Sequence, residues 1–169
     1  MGFYERVIAS EGTSCAAALR LLLSAVGESV TKVSALTSLH QHDHTFKDGV
    51  NATIQLSNGN SGTLSVSRGT EIDNAFEVQI ATDGGLINII DCRVTLTKAG
   101  SQKGTEQYGE RNFPAKSNSI KRMVEVFGEG IKRGKVETRG LPEEALEDLK
   151  IIQAIVNSSE EGGAVKNIL

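Results

Sequence analysis

The spacing of the apolar residues changes twice along this chain, and this change constrains the fold more than any other feature. Between residues 12 and 26 the apolar residues recur at helical spacing, and between about 30 and 98 they occupy alternate positions. After residue 117 the helical spacing returns. The sequence therefore predicts one helix, about six strands and then two helices, an order typical of an α+β fold.

Local signals mark where the first two helices begin and end. Ser10, Thr13 or Ser14 can cap the start of the first helix, since a hydroxyl oxygen accepts a hydrogen bond from the first backbone N–H groups. Gly27 and Gly134 are expected to end the first and second helices, because glycine readily adopts the left-handed conformation found at helix C-termini. These signals agree with the limits that the apolar spacing indicates.

Short connections between the strands predict a mostly antiparallel sheet. Asn58-Gly59 lies between two alternating segments and predicts a type I′ hairpin turn, whose two central residues need positive φ. The segment "AVKNI" near the end predicts a final edge strand. We expect an open, mostly antiparallel sheet with the helices packed on one face, in a single domain over residues 1–169.

Serine and threonine are frequent at alternate strand positions on the other side of the predicted sheet. These residues are Thr53, Ser65, Ser67, Thr95 and Thr97. A sheet face of such intermediate polarity is suited to a subunit interface. We therefore expect a homo-oligomer that associates through the open sheet face.

Charge and composition argue against several classes of function. The net charge is −3 and the pI is near 5.7, so the chain has no general attraction for nucleic acid or an anionic membrane. No apolar segment approaches the ~20 residues that span a bilayer. Cys15 and Cys92 lie far apart without a CxxC spacing, which favours reduced, buried thiols in a cytoplasmic protein. A single disulfide between them is the alternative.

The segment "HQHDH" contains all three histidines of the chain, His40, His42 and His44. On an extended strand these side chains would project from one face, and three imidazoles can hold a catalytic zinc ion. We favour the interpretation that the segment is a polar strand end leading into a loop, and we predict no metal site. A zinc site formed by the three histidines is the alternative.

The motifs of common enzyme classes are missing from the sequence. No G-x-G-x-x-G follows a predicted strand, and there is no P-loop, so the chain has no recognisable site for a dinucleotide or for ATP. No G-x-S-x-G marks a nucleophilic serine. By pattern alone the chain has no catalytic set.

Several segments nevertheless occur in a familiar order. "LRLLL" precedes "VTKVSALT", and then come "DGVNATIQLSNGNSGTLSVSRGT", "FEVQIATDGGLINI" and "LPEEALEDLKIIQAIVNSSEEGG". In this order they resemble the C-terminal domain of the Gfo/Idh/MocA oxidoreductases, the family of glucose-fructose oxidoreductase and inositol dehydrogenase. The resemblance extends over nearly the whole chain.

The resemblance implies an α+β fold of the dihydrodipicolinate-reductase-like C-terminal type. Full-length members place an N-terminal Rossmann domain for NAD or NADP before this domain, which shapes a pocket for sugars, polyols or related diols. Hydride then moves between the nicotinamide and a substrate C–OH or C=O group. The face of the sheet away from the helices often forms the dimer or tetramer interface of the family.

This sequence departs from the family pattern in two respects. It contains no Rossmann domain, so it binds no cofactor alone. The acid and the histidine that the family carries four residues apart on the first helix of this domain fall on Ser10 and Ser14, or on Thr13 and Ala17 in a second alignment. A serine does not accept a proton at neutral pH without a neighbouring base. The resemblance therefore implies Ser10 and Ser14 as substrate-binding positions and no catalytic residue.

Two functions remain open at this stage. The chain is expected to be the substrate-binding and oligomerisation domain of an NAD(P)-dependent oxidoreductase, present as a fragment or a truncated gene product and inactive without its cofactor domain. The alternative is a standalone, non-catalytic module of the same family that binds a partner or associates with itself. Neither interpretation includes nucleic acid or a membrane as a partner.

Overall fold

The structure is a computed structural model that describes residues 6–39, 47–67, 77–90, 93–98, 107–112, 119–135, 138 and 141–168. In chain order its elements are α1 (Arg6–Ser24), β1 (Val30–Ser38), β2 (Gly49–Leu56), β3 (Ser61–Ser67), β4 (Glu77–Thr82), β5 (Gly85–Ile90), β6 (Arg93–Lys98), β7 (Gln107–Asn112), α2 (Ser119–Arg133), α3 (Pro142–Glu160) and β8 (Lys166–Asn167). The chain divides into two compact units, Met1–Glu71 with Glu137–Leu169, and Ile72–Val136. The single domain expected over residues 1–169 stays a prediction.

The strands form two antiparallel sheets of four strands each. The first sheet has the order β3-β2-β1-β8 and belongs to the first unit. The second has the order β4-β5-β6-β7 and belongs to the second unit. The predicted α+β class and the antiparallel pairing are confirmed. The prediction of one sheet is wrong, because the described strands form two sheets.

The core of the first unit lies between its sheet and its helices. Val33 pairs with Ile54 and Ala35 with Ala52, so these four buried side chains share one face of the sheet. The helix α3 packs on this face, and Ile155 of α3 is 1% exposed in the same cluster. The helix α1 packs on α3. Both helices of the first unit therefore lie on one side of the first sheet.

The C-terminal end of α1 follows the expectation from sequence, whereas its N-terminal end does not. Gly27 has a φ of +76°, and the N–H of Glu28 donates to the carbonyl oxygen of Leu23 at 3.0 Å, the pattern of a Schellman motif. The capping role expected for Ser10, Thr13 or Ser14 is wrong, because α1 already includes Arg6. The helix therefore begins at least one turn before the position that the capping residues indicated.

The hairpin between β2 and β3 forms where it was predicted, with a different turn. The N–H of Leu56 donates to the carbonyl oxygen of Asn60 at 2.8 Å, which leaves a loop of three residues rather than the two of a type I′ turn. Gly59 supplies the positive φ of +86° that such a loop needs at its last position. The Oδ1 of Asn58 accepts a hydrogen bond from the N–H of Asn60 at 2.9 Å.

Serine hydroxyls from the end of α3 complete the edge of β1. The strand β8 has two residues and pairs with β1 only at Lys32 and Val33. Beyond that point the N–H of Ala35 donates to Ser158 Oγ at 2.8 Å, and Ser158 Oγ donates to the carbonyl oxygen of Ala164 at 2.7 Å. Two residues further along β1, the N–H of Thr37 donates to Ser159 Oγ at 3.1 Å. A fully buried hydroxyl thus replaces a strand partner.

The substitution Ser158→Ala is expected to lower the free energy of unfolding by about 1–3 kcal/mol, because it leaves a buried N–H of β1 without a partner. Chemical denaturation followed by circular dichroism measures the change. The control Ser61→Ala removes an exposed hydroxyl from β3 and is expected to shift stability by less than about 0.5 kcal/mol. Equal midpoints for the two variants would contradict the role of Ser158.

Candidate functional site

The two serines that the sequence singled out lie on the same helix. Ser10 and Ser14 are one turn apart in α1, so both positions face the same side of the helix. Ser14 is exposed, whereas Ala16, two residues further and on the opposite side, is fully buried. The structure therefore places Ser14 on the face of α1 that points away from the core. Thr13 and Ala17, the positions of the second alignment, are partly buried.

The chemistry of this face is that of hydroxyl groups. A serine hydroxyl both donates and accepts hydrogen bonds, which suits contacts with the hydroxyls of a sugar or a polyol. It does not supply the acid and the imidazole that would carry a proton at neutral pH. The face can thus bind and orient a ligand, and a proton acceptor would have to come from elsewhere.

A charged cluster joins α1 to α3 behind this face. Arg20 Nε donates to Asp148 Oδ1 at 2.7 Å, and Arg20 Nη2 donates to Asp148 Oδ2 at 3.3 Å. Arg20 Nη1 also forms an ion pair with Glu144 Oε2. The side chains of Arg20 and Asp148 are only 15% and 9% exposed, so both charges are largely removed from water. The paired geometry is the bidentate contact that a guanidinium makes with a carboxylate.

The hydrogen bond to Asp148 is the main cause that raises the pKa of Arg20 above its usual value, and the charges of Asp148 and Glu144 act in the same direction. Partial burial acts against them. Since the guanidinium is protonated in the folded and the unfolded chain throughout the neutral range, this raised pKa adds no pH dependence to stability there. The cluster acts as a permanent electrostatic link between the two helices.

This link determines how α1 is rotated on α3. Arg20 can reach both acids only when its side of α1 faces α3, and the position of Ser14 then faces outward. This cluster was not among the features predicted from the sequence. One basic residue within an apolar helix, together with two acids four residues apart on α3, was the available signal.

Replacement of Arg20 by methionine is expected to destabilise the protein by about 2–4 kcal/mol, because the carboxylate of Asp148 loses its cation in a largely buried position. The double variant Arg20→Met/Asp148→Leu removes both charges and is expected to recover most of this loss. Thermal and chemical unfolding measure both changes.

An exposed ion pair on α3, the helix that carries Asp148, provides a matched control. Lys150 Nζ lies 2.8 Å from Glu147 Oε1, with both side chains in contact with water. Lys150→Met is expected to change the free energy of unfolding by less than about 1 kcal/mol. If the double variant were as unstable as Arg20→Met alone, the unpaired carboxylate would not be the cause of the loss.

The structure offers no direct test of the histidine site. His40, His42 and His44 lie outside the described residues, so the zinc alternative keeps its status as a hypothesis. Asp48, the first acidic residue after this segment in the described part of the chain, is 2% exposed, and its N–H donates to the carbonyl oxygen of Ser38 at 3.0 Å. Across the described ranges no group of three histidine, cysteine, aspartate or glutamate side chains is arranged to hold a metal ion.

The face of the first sheet opposite its helices is mostly polar, with the exposed Leu36 as an apolar exception. Ser34 pairs with Thr53 and Thr53 with Thr63, so these side chains form a row across three strands. Ser65 Oγ donates to Asn51 Oδ1 at 2.9 Å in the next row. As the sequence predicted, Thr53 and Ser65 lie on the face that the helices leave open.

None of the described helices is both long and apolar enough to cross a lipid bilayer.

Known proteins with the same fold are oxidoreductases. No family model matches the chain. The dehydrogenase FPY6 of Fusarium mangiferae is 30% identical over 165 residues, which cover 97% of this chain and 46% of that protein. An oxidoreductase of Thermotoga maritima has a TM-score of 0.75 at 25% identity and is covered over 44% of its length, against 95% of this chain.

Two further structures share the fold at lower identity. One is the aldose-aldose oxidoreductase of Caulobacter crescentus, complexed with glycerol, with a TM-score of 0.72 at 19% identity over 92% of this chain and 45% of that one. The other is an oxidoreductase of Agrobacterium radiobacter, in complex with NAD+, L-tartaric acid and magnesium, with a TM-score of 0.72 at 16% identity over 95% of this chain and 48% of that one.

The fold and these matches define the class of the chain, which is a partial oxidoreductase domain. The chain spans about half the length of the relatives that it matches. The resemblance found in the sequence is thereby confirmed: the structural neighbours are oxidoreductases of the Gfo/Idh/MocA type, and a match to about half of their length is consistent with a C-terminal domain.

Proposed function

We propose that this chain is the substrate-binding and oligomerisation domain of an NAD(P)-dependent oxidoreductase that acts on sugars, polyols or related diols. The observation that carries the proposal is the alignment of 97% of the chain with 46% of a dehydrogenase. A cytoplasmic location is part of the proposal, and the wide separation of its two cysteines without a metal-binding or redox spacing supports it.

The residues described here do not fit a dinucleotide, so the cofactor belongs to a different domain. Pyrophosphate binds at helix N-termini that follow a strand directly, where backbone N–H groups and the helix dipole attract negative charge. The first turn of α3 carries Glu143 and Glu144, whose negative charges would repel a phosphate. Every strand pair in the described part of the chain is antiparallel, whereas the nucleotide-binding unit is built from parallel strands joined by helices. NAD or NADP would be held by a Rossmann domain joined to this chain.

The outward face of α1 is the proposed contact with the substrate. The ligands of two related structures, glycerol and L-tartaric acid, are both rich in hydroxyl groups. Ser10 and Ser14 would exchange hydrogen bonds with such hydroxyls and would orient the carbon that takes part in hydride transfer. The base for this transfer would be supplied by another part of the full enzyme.

The standalone, non-catalytic module is the second candidate. The lack of an acid–imidazole pair at Ser10 and Ser14 favours it, because the family mechanism of proton transfer then has no obvious carrier in this chain. An immunoblot of source cells distinguishes the two candidates. A polypeptide of roughly twice 18.0 kDa supports the oxidoreductase, and a polypeptide of 18.0 kDa supports the module.

Ligand titration of the isolated chain tests the substrate site. We expect a polyol such as glycerol or L-sorbose to shift amide resonances of α1, and NADH to shift none. Ser14→Leu should abolish the polyol shifts, because it replaces a hydroxyl by an aliphatic side chain at the proposed contact. Ser24→Leu, at an exposed serine of the same helix, is the control and should retain them. Polyol shifts that survive Ser14→Leu would contradict the assignment of this face.

We also propose that the chain associates with itself through the open face of its first sheet. Support comes from the polar, hydroxyl-rich rows of this face and from the position of both helices of the first unit on the other side. Interfaces of intermediate polarity are common between subunits. A second copy would cover these rows without disturbing the core.

Thr53→Lys is expected to convert a dimer or larger oligomer into a monomer, because two copies would bring like charges together at the centre of the interface. Analytical ultracentrifugation over a range of concentrations measures the change. Gln153→Lys adds the same charge at an exposed position of α3 and should leave the oligomer intact. A wild-type chain that sediments as a monomer at every concentration would refute the proposal.

A further inference from the structure

The tip of the hairpin between β2 and β3 carries an asparagine followed by a glycine, and both residues are open to water. Asn58 and Gly59 are exposed, and a side chain added at Gly59 would meet no other atom within 4 Å. Asparagine is one of the thermally labile residues of proteins. Because glycine has no Cβ, its backbone nitrogen is unobstructed. The tip thus places an electrophilic carbon, Asn58 Cγ, next to a backbone nucleophile and within reach of water.

The reaction that these two residues can undergo is deamidation. The backbone nitrogen of Gly59 attacks Asn58 Cγ and closes a succinimide ring. The bond from Cγ to Nδ2 breaks, and ammonia leaves with the proton that the glycine nitrogen loses. Water then opens the ring at either carbonyl group and leaves aspartate, or isoaspartate, in which the backbone runs through the side chain. The reaction consumes only water, and it is favoured because the two reacting groups belong to neighbouring residues.

The folded hairpin engages both reacting groups in hydrogen bonds. The N–H of Gly59 donates to the carbonyl oxygen of Leu56 at 3.0 Å, and Asn58 Oδ1 accepts from the N–H of Asn60 at 2.9 Å. Ring closure requires the glycine nitrogen to lose its proton and the amide carbon to turn towards this nitrogen. Both hydrogen bonds must therefore break first, and the rate of deamidation depends on how often the loop opens.

The carboxylate of Glu28 holds this loop closed. Glu28 follows α1 and is half-buried, and its Oε2 accepts from the N–H of Asn58 at 3.0 Å and from Ser57 Oγ. Ser57 Oγ also accepts from the N–H of Ser29 at 3.1 Å. Hydrogen bonds to a charged acceptor are stronger than those between neutral groups. We call the contacts of Glu28 with Ser57 and Asn58 the Glu28 clamp.

We propose that Asn58 is a site of spontaneous deamidation and that the Glu28 clamp sets the rate. The product puts a second negative charge on the residue whose N–H the carboxylate of Glu28 binds, and like charges repel. Isoaspartate also adds a carbon atom to the backbone of a loop whose length matches the pairing of β2 with β3. Deamidation therefore loosens the hairpin from the end of α1, and it does so irreversibly. This property is independent of the proposed oxidoreductase function.

Peptide mapping by mass spectrometry tests this proposal on the full chain. The chain is incubated for several weeks at mildly alkaline pH, where the glycine nitrogen loses its proton more readily, and aspartate and isoaspartate at Asn58 are quantified. A synthetic peptide with the sequence LSNGNSG supplies the rate without the clamp. Glu28→Ala removes the carboxylate, and Ser57→Ala removes one of its donors. Glu147→Ala, which removes an exposed carboxylate from α3, is the matched control.

We expect deamidation of Asn58 in the wild-type chain to be several-fold slower than in the peptide. Glu28→Ala should raise the rate several-fold, Ser57→Ala should raise it less, and Glu147→Ala should leave it unchanged. Circular dichroism verifies the fold of each variant, and Ser57→Ala carries the comparison if Glu28→Ala does not fold. An Asn58 that stays unmodified in every folded chain while the peptide reacts would overturn the proposal. Equal rates in the wild type and the two clamp variants would overturn it as well.

Discussion

The contact between the end of α3 and the edge of β1 is the constraint on which the rest of the first unit depends. A buried N–H group needs a partner, and β8 is too short to supply one beyond Val33. The hydroxyl of Ser158 takes that place and is itself satisfied by the carbonyl oxygen of Ala164. This pair of hydrogen bonds sets the position of α3 along the strand, so that the aliphatic residues of α3 meet those of β1 and β2.

The position of α3 in turn determines that of α1. Asp148 and Glu144 are presented on the side of α3 that faces α1, and Arg20 reaches both. An ion pair with little access to water tolerates few geometries, because each charge has lost its hydration and must regain it from the partner. The hydrogen bonds at the edge of β1 position α3, and the ion pair on α3 positions α1. Ser14 therefore faces outward because of contacts that begin at the edge of β1. The candidate substrate face and the core are thus parts of one arrangement.

The fold also limits what the chain can contribute to catalysis. Antiparallel hairpins and an acidic first turn of α3 suit neither a dinucleotide nor its pyrophosphate. Serines on α1 suit the binding of hydroxyl groups and not the transfer of a proton at neutral pH. These features agree with the proposed role as the substrate-binding and oligomerisation domain of a larger oxidoreductase.

The sequence by itself determined the features that depend on neighbouring residues. Apolar spacing predicted the three helices and the strands, and Gly27 and Gly134 predicted helix ends, because period and positive φ are local properties. The N-terminal limit of α1 could not be predicted in this way. Its capping residues favour a start at residue 10 or later, whereas α1 already includes Arg6.

Only the tertiary structure decided which distant groups meet. Arg20 finds Asp148 at a separation of 128 residues, and the N–H of Ala35 finds Ser158 at a separation of 123. Neither contact can be recognised from the spacing of residues in the sequence, because each forms only when α3 packs between the sheet and α1. The division of the strands between two sheets has the same origin. Alternation tells which side of a strand is apolar, and only the pairing of strands tells which sheet it joins.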